Sequence, residues 1–145
     1  MRTHTRLLVL DQAAGQWGAQ RYLLRLAGPL RGRGVEMVLA PPAGLDLSHA
    51  WVSAGLEYAD LALPTARSVR ADGEKGRLSI AALRREARGM RAASKAIACA
   101  AVTHDCQVIH ANGHGIHLDA ALAGRAAKVP VVLHLHEEMP QLFGR

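Results

Sequence analysis

The sequence predicts an α/β domain, three layers deep, with a parallel sheet of about five strands in the order 3-2-1-4-5. Three observations lead there. Short apolar runs recur at 6–10, 35–40, 107–111 and 130–135, and each empties into a loop of polar, Gly or Pro residues, as buried parallel strands do. Segments whose apolar residues return every three or four positions lie between them. The resulting alternation of strand and helix, with right-handed crossovers, leaves few topologies, of which 3-2-1-4-5 is the simplest. At 145 residues, 50% of them hydrophobic, the chain has room for one domain over 1–145.

Strand one (6–10) stops at Asp11-Gln12-Ala13-Ala14-Gly15. A helix over 19–31 follows, with Tyr22, Leu23, Leu26, Ala27 and Leu30 on one stripe and Arg21, Arg25 and Arg31 on other faces. Pro29 should kink or shorten it, and Gly32 and Gly34 should end it. Strand two (35–40) closes at Pro41-Pro42-Ala43-Gly44. A short helix over 46–54, capped by Asp46 or Ser48 and ended by Gly55, leads to a third strand over 56–63. Residues 65–76 are polar, charged and without period, the pattern of a mobile loop.

The longest helix is expected over 79–102. It carries Ile80, Leu83, Ala87, Met90, Ser94, Ile97 and Ala101 on one stripe and Arg77, Arg84, Arg88, Arg91 and Lys95 on the next. Strand four (107–111), the turn Asn112-Gly113-His114-Gly115, a helix over 116–128 and strand five (130–135) complete the domain.

Composition narrows the function. Two Trp, two Tyr and one Phe are too few for a surface that stacks single-stranded bases. No apolar run approaches the roughly 18–20 residues that cross a bilayer, and Asp11 ends the first run too early for a secretory signal. A cytoplasmic chain is expected, with Cys99 and Cys106 reduced and one of them packed in the core. The net charge of +6 favours anionic partners in general, although a solvated basic face explains it equally well.

Ligands of such sheets bind beyond the carboxyl ends of the strands, which directs attention to 11–18, 41–44, 110–115 and 134–138. Gly15-Gln16-Trp17-Gly18 runs straight into the first helix, where backbone N–H groups and the positive helix end meet an anion or a polar sugar. It lacks the G-x-G-x-x-G dinucleotide fingerprint, and a tight strand-to-helix turn is its plain alternative. Trp17 favours a binding loop, because a bulky aromatic between glycines is costly to expose unless it packs on something.

Six of the eight histidines lie between His104 and His136, which raises a metal site. His110, His114 and His117 straddle a strand end, a turn and a helix start, so they do not share one helical face as metal-binding pairs do. His134 and His136 alternate onto one face, without a completing carboxylate pattern. His136 is the sharper candidate: it ends strand five beside Glu137 and Glu138, where its ring meets a ligand in the cleft of Gly18 and Asn112. A surface histidine of a terminal loop is the alternative. Glu137 and Glu138, adjacent in an extended segment, diverge and do not form an acid/base pair.

The run from Gly15 to Pro41, beginning G-Q-W-G-A-Q-R-Y, resembles the opening of family 4 glycosyltransferases, which read glycine-glycine-alanine-glutamate-arginine, an apolar helix and A-R-G-H-E-V. Residues 106–112 (C-Q-V-I-H-A-N) resemble that family's D-V-I-H-A-H strand, and 129–137 (V-P-V-V-L-H-L-H-E) its V-P-V-V strand ending in histidine. Trp17, Gln20 and Asn112 depart from the family pattern.

The resemblance implies the N-terminal, acceptor-side Rossmann-like half of a GT-B architecture, and sugar transfer from a nucleotide-sugar with retention, without metal or other cofactor. Gly18 would lie near the donor phosphates and His136 beside the transferred sugar. The acceptor would lie over Gly15, Gln16, Trp17, Gly18, Asn112 and His114, with Glu137 beside it. The second domain, which carries the E-x7-E motif, would lie outside this chain, leaving it inactive alone: a domain fragment, a truncated gene product, or one half of a split enzyme completed by a separate C-terminal GT-B domain. Arg84, Arg88, Arg91 and Lys95 suit lipid-linked acceptors and peripheral contact with the inner face of the membrane, against the plain reading of a solvated helix face. A non-catalytic sugar- or nucleotide-binding module is the first rival. A basic nucleic-acid-binding domain, recognised by steep salt dependence, is the second.

Overall fold

A computed structural model describes residues 4–13, 15–40, 46–59, 61, 63 and 80–136. The elements are β1 (Thr5–Asp11), α1 (Gly18–Arg31), β2 (Val35–Ala40), α2 (Asp46–Ser53), β3 (Glu57–Tyr58), α3 (Ile80–Thr103), β4 (Val108–Asn112), a single 3-10 turn (His114–Ile116), α4 (His117–Ala127) and β5 (Val131–His134). The sheet is parallel and ordered β3-β2-β1-β4-β5, as the sequence predicts.

Central β1 is paired on both sides: Leu8 faces Val38 of β2 and Ile109 of β4, and Leu10 faces Ala40 and Ala111. Its side chains alternate between two cores. Leu8 and Leu10 join Val38, Ile97, Ala101, Ile109, Ala120 and Ala123 under α3 and α4. Val9 joins Leu23, Ala27, Met37, Leu39, Leu47 and Trp51 under α1 and α2. Covering both faces explains why the end of β1 is buried throughout, down to Asp11.

α4 comes so close to β5 that Gly124 has no room for a side chain. A Cβ there would run into Val131 Cγ2 and lie 2.7 Å from Val129 O. Trp51, fully buried, donates its indole N–H to Glu57 O (2.8 Å) and pins α2 to β3. At the amino end of the sheet, Arg6 pairs with Glu57 and with Glu36 (3.5 Å) and donates to His104 O (2.7 Å). That cluster ties β1, β2, β3 and the end of α3 together.

Three sequence expectations change. Among the described residues the third strand, predicted over 56–63, covers Glu57–Tyr58. Its register sets Val38 opposite Glu57 and Leu39 opposite Tyr58, so β2 runs out one residue later. Ala59 N–H still donates to Leu39 O (2.8 Å), and Ala59, Leu61 and Leu63 keep their side chains in the core.

Pro29 does not shorten α1, which continues to Arg31. It sits in the last turn, where few carbonyls are left to lose a partner, and Gly32 N–H still donates to Gly28 O (3.1 Å).

The apolar stripe of α3 is buried only in its second half. Ser94, Ile97 and Ala101 are covered, whereas Ile80 (69% exposed), Leu83 (49%) and Ala87 face outward. Its 24 residues reach about 36 Å at 1.5 Å per residue, whereas a seven-residue strand spans about 23 Å, so the first turns overhang the sheet.

Smaller shifts move helix and strand ends by one or two residues, and the 3-10 turn precedes α4. Cys99 is exposed and Cys106 buried, both free, with burial pushing the Cys106 thiol up to about 11. Among the described residues no helix is long and apolar enough to cross a membrane. The proline-glycine turn at 41–44 and the loop at 65–76 lie outside the described residues.

Candidate functional site

β1 and β4 are neighbours in the sheet, but the chain leaves them in opposite directions, to α1 on one side and α4 on the other. This is the switch point where a crevice opens beyond the carboxyl ends. A cleft of about 480 Å3 lies there. Asp11, Gln12 and Ala13 line it from β1, Trp17 to Gln20 from the start of α1, Asn112 to Ile116 from β4 and the 3-10 turn, and His136 from beyond β5.

Its floor is a buried carboxylate. Asp11, 1% exposed, accepts N–H groups from Ala13 (2.8 Å), Gln20 (2.8 and 3.1 Å) and Asn112 (2.6 Å). Such a group is expensive to bury unless its oxygens are filled, and here they are. Gln20 Oε1 in turn accepts Trp17 N–H (3.1 Å), one of the N–H groups that α1 leaves without a helical partner. A carboxylate at position 20 would confront Asp11 with a like charge, so the amide suits this site.

Asn112 Oδ1 lies 2.5 Å from His136 Nε2. The His136 ring is 4.0 Å from that of His134, which stacks on His110 at 5.4 Å, with Nε2 of His110 3.3 Å from Nδ1 of His134. Tyr22 of α1 presents its ring edge-on to His134 and His136, at 5.9 and 6.5 Å. His117 Nε2 lies 3.3 Å from His134 O. Burial, then the neighbouring His134 and His136, pushes the His110 imidazole down to about 4. His134 is lowered as well, by burial and by His136. Neutral stacked rings therefore back the cleft at pH 7. Among the described residues no group of three or more His, Cys, Asp or Glu stands where it could hold a metal ion.

Of the residues singled out from sequence, Trp17, Gly18, Asn112, His114 and His136 line this cleft. Trp17 is 69% exposed at its rim. Gly15 lies beneath the Trp17 indole, where a Cβ would sit 3.5 Å from Nε1, and neither Gly15 nor Gln16 lines the cleft. Glu137 lies outside the described residues. Arg84, Arg88, Arg91 and Lys95 are exposed on α3 and do not line the cleft. Sequence reasoning passed over Asp11 and Gln20 as site residues; the signal was an acid ending an apolar strand and an amide three residues into the next helix turn.

No protein-family model matches the chain, and no curated protein is similar to it in sequence. Solved structures are similar in fold. A glycosyltransferase from Rickettsia africae is 12% identical with a TM-score of 0.66, over 94% of this chain and 31% of its own. MurG of Acinetobacter baumannii is 15% identical with a TM-score of 0.62, over 90% of this chain and 35% of its own. HepE of Anabaena, solved in complex with UDP-glucose, is 21% identical with a TM-score of 0.59, over 92% of this chain and 30% of its own. The chain thus shares a Rossmann-like α/β fold with part of these glycosyltransferase structures, and spans about a third of their length.

Proposed function

We propose that the chain is the acceptor-binding N-terminal part of a retaining glycosyltransferase, which moves a sugar from a nucleotide-sugar to an acceptor and is inactive without a donor-binding second domain. The observation that carries this reading is the switch-point cleft with His136 in its wall. Amides (Gln12, Gln20, Asn112), imidazoles (His114, His136) and an exposed indole (Trp17) surround it. That lining suits a neutral, hydroxyl-rich ligand: amides and imidazoles both donate to and accept from hydroxyls, and an indole face packs on a sugar ring. α1 begins at the same cleft with no acid in its first turn, which leaves its positive end for a diphosphate. HepE, which shares the fold, is solved with UDP-glucose.

On this reading His136 meets the transferred sugar, and the acceptor spans the Trp17 loop and the Asn112–His114 turn. The protein works in solution or peripherally at a membrane that presents the acceptor. The test is a 15N amide titration with UDP-sugars, GDP-sugars and simple glycosides. Saturable shifts confined to 11–20, 112–116 and 136, weakened by His136→Ala, are expected. A folded chain that gives no shifts, or only shifts along α3, overturns the proposal. Binding without transfer in any mixture would leave a non-catalytic binding module.

A further inference from the structure

The register of the sheet lines up three polar residues across its carboxyl edge, and a fourth lies just beyond it. Asp11 ends β1 and stands directly opposite Asn112, which ends β4; Asn112 stands opposite His134, and His136 follows two residues later. Gln20 reaches Asp11 from α1. From this row we propose that Asp11 is a positioning residue: acting through Asn112, it fixes which nitrogen of His136 carries the proton and where the ring stands in the cleft. The proposal rests on the reading of His136 as the group that meets the sugar.

The argument is one of donors and acceptors. Each hydrogen bond that the described residues make to the Asp11 carboxylate comes from an N–H group, so it acts towards them as an acceptor. Asn112 must therefore turn its NH2 group towards Asp11, at 2.6 Å, which points Oδ1 away from Asp11 and at His136. An amide oxygen only accepts, so His136 Nε2 must be the donor across the 2.5 Å contact. In the neutral ring this leaves Nδ1 as the acceptor. An isolated Asn amide has no such preference, because its two ends are nearly equal in size and turn over freely. The carboxylate removes that freedom.

The same carboxylate holds the opposite wall. Gln20 spends its NH2 group on Asp11 and so offers Oε1 to Trp17 N–H. The indole rim and the imidazole are thereby oriented from one buried point.

Asp11→Asn makes a distinct prediction. The Oδ1 site faces the Ala13 backbone N–H, which cannot turn over, so the new NH2 group takes the Oδ2 site, where Asn112 (2.6 Å) and Gln20 (2.8 Å) are side-chain amides that can. Asn112 then turns over, presents its own NH2 group to His136, and Nε2 becomes the acceptor.

The test is long-range 1H–15N correlation of the imidazole nitrogens in the full chain, at a pH where the ring is neutral. Wild type should show His136 protonated on Nε2. Asp11→Asn should move the tautomer ratio towards Nδ1–H by at least about fivefold, the worth of one ordinary hydrogen bond. If Asp11→Asn does not fold, Asn112→Ala replaces it: loss of the acceptor should lower the ratio of Nε2–H to Nδ1–H in His136 by a similar factor. Wild-type His136 protonated on Nδ1, or the same tautomer ratio in wild type and Asp11→Asn with dispersed spectra, overturns the proposal, as does an unchanged ratio in Asn112→Ala. Failure of the sugar titration with the tautomer shift intact refutes the sugar reading alone. Saturable sugar binding with an unmoved tautomer refutes the positioning role alone.

Discussion

Acidification should destabilise the fold through His110 well before the carboxylates titrate fully. His110 is on β4, half-buried, with His134 stacked on it and His136 one ring further on. Burial and these two neighbours push its pKa from 6.5 down to about 4. The folded value is depressed, so between 6.5 and about 4 the unfolded chain binds more protons than the folded one, and folding loses ground as pH falls. The stabilisation is fully present above pH 6.5 and gone near pH 4. The whole shift is worth about 3 kcal/mol at most, and partial solvent screening reduces this to about 1–2 kcal/mol. The assay is urea unfolding at pH 7.5 and pH 5.0 for wild type and His110→Gln, which keeps a polar side chain but cannot titrate. Carboxylate effects are common to both and cancel in the comparison. Wild type should lose about 1 kcal/mol more than the variant over that interval. Equal losses would refute the reasoning, because they would mean that His110 charges as easily in the fold as out of it.

Further expectations concern packing, the cleft rim and the basic helix. Gly124→Ala forces a methyl against Val131 and the Val129 carbonyl and should cost about 1–3 kcal/mol in urea unfolding, whereas Gly115→Ala meets only the movable end of Gln12, 2.7 Å away, and should cost under about 1 kcal/mol. Trp17→Ala should leave stability within about 0.5 kcal/mol, since the ring is mostly exposed, yet weaken nucleotide-sugar binding by up to about tenfold in calorimetric titration. The chain should sediment with anionic vesicles at low salt, and neutralising Arg84, Arg88, Arg91 and Lys95 together should release it, each cation contributing about 1 kcal/mol; a chain that stays in the supernatant leaves those residues as a solvated helix face.

The strands and their order were legible because buried parallel strands are short apolar runs and right-handed crossovers leave little choice of order. What escaped depended on lengths that only the assembled sheet sets. β3 is cut short by the end of β2 at Ala40, and the start of α3 is exposed because the helix outruns the strands. The site divides in the same way. Asn112, His114 and His136 could be singled out because they follow strands at the ligand edge, and the same cleft holds all three. Asp11 lay within the stretch marked for inspection, but its role depends on facing Asn112 across the β1–β4 register and on the reach of Gln20 from α1, which no local pattern encodes. Gly15 sits under the Trp17 indole instead of in the cleft for a similar reason: the ring folds back over its own loop.

The most direct test of the central claim is sugar transfer from a panel of UDP- and GDP-sugars by the purified chain, alone and mixed with a separately expressed C-terminal GT-B domain. The account predicts no transfer by the chain alone, transfer in a productive mixture, and loss of that transfer in His136→Ala. Transfer by the chain alone, or a mixture whose turnover is unchanged by His136→Ala, would contradict it.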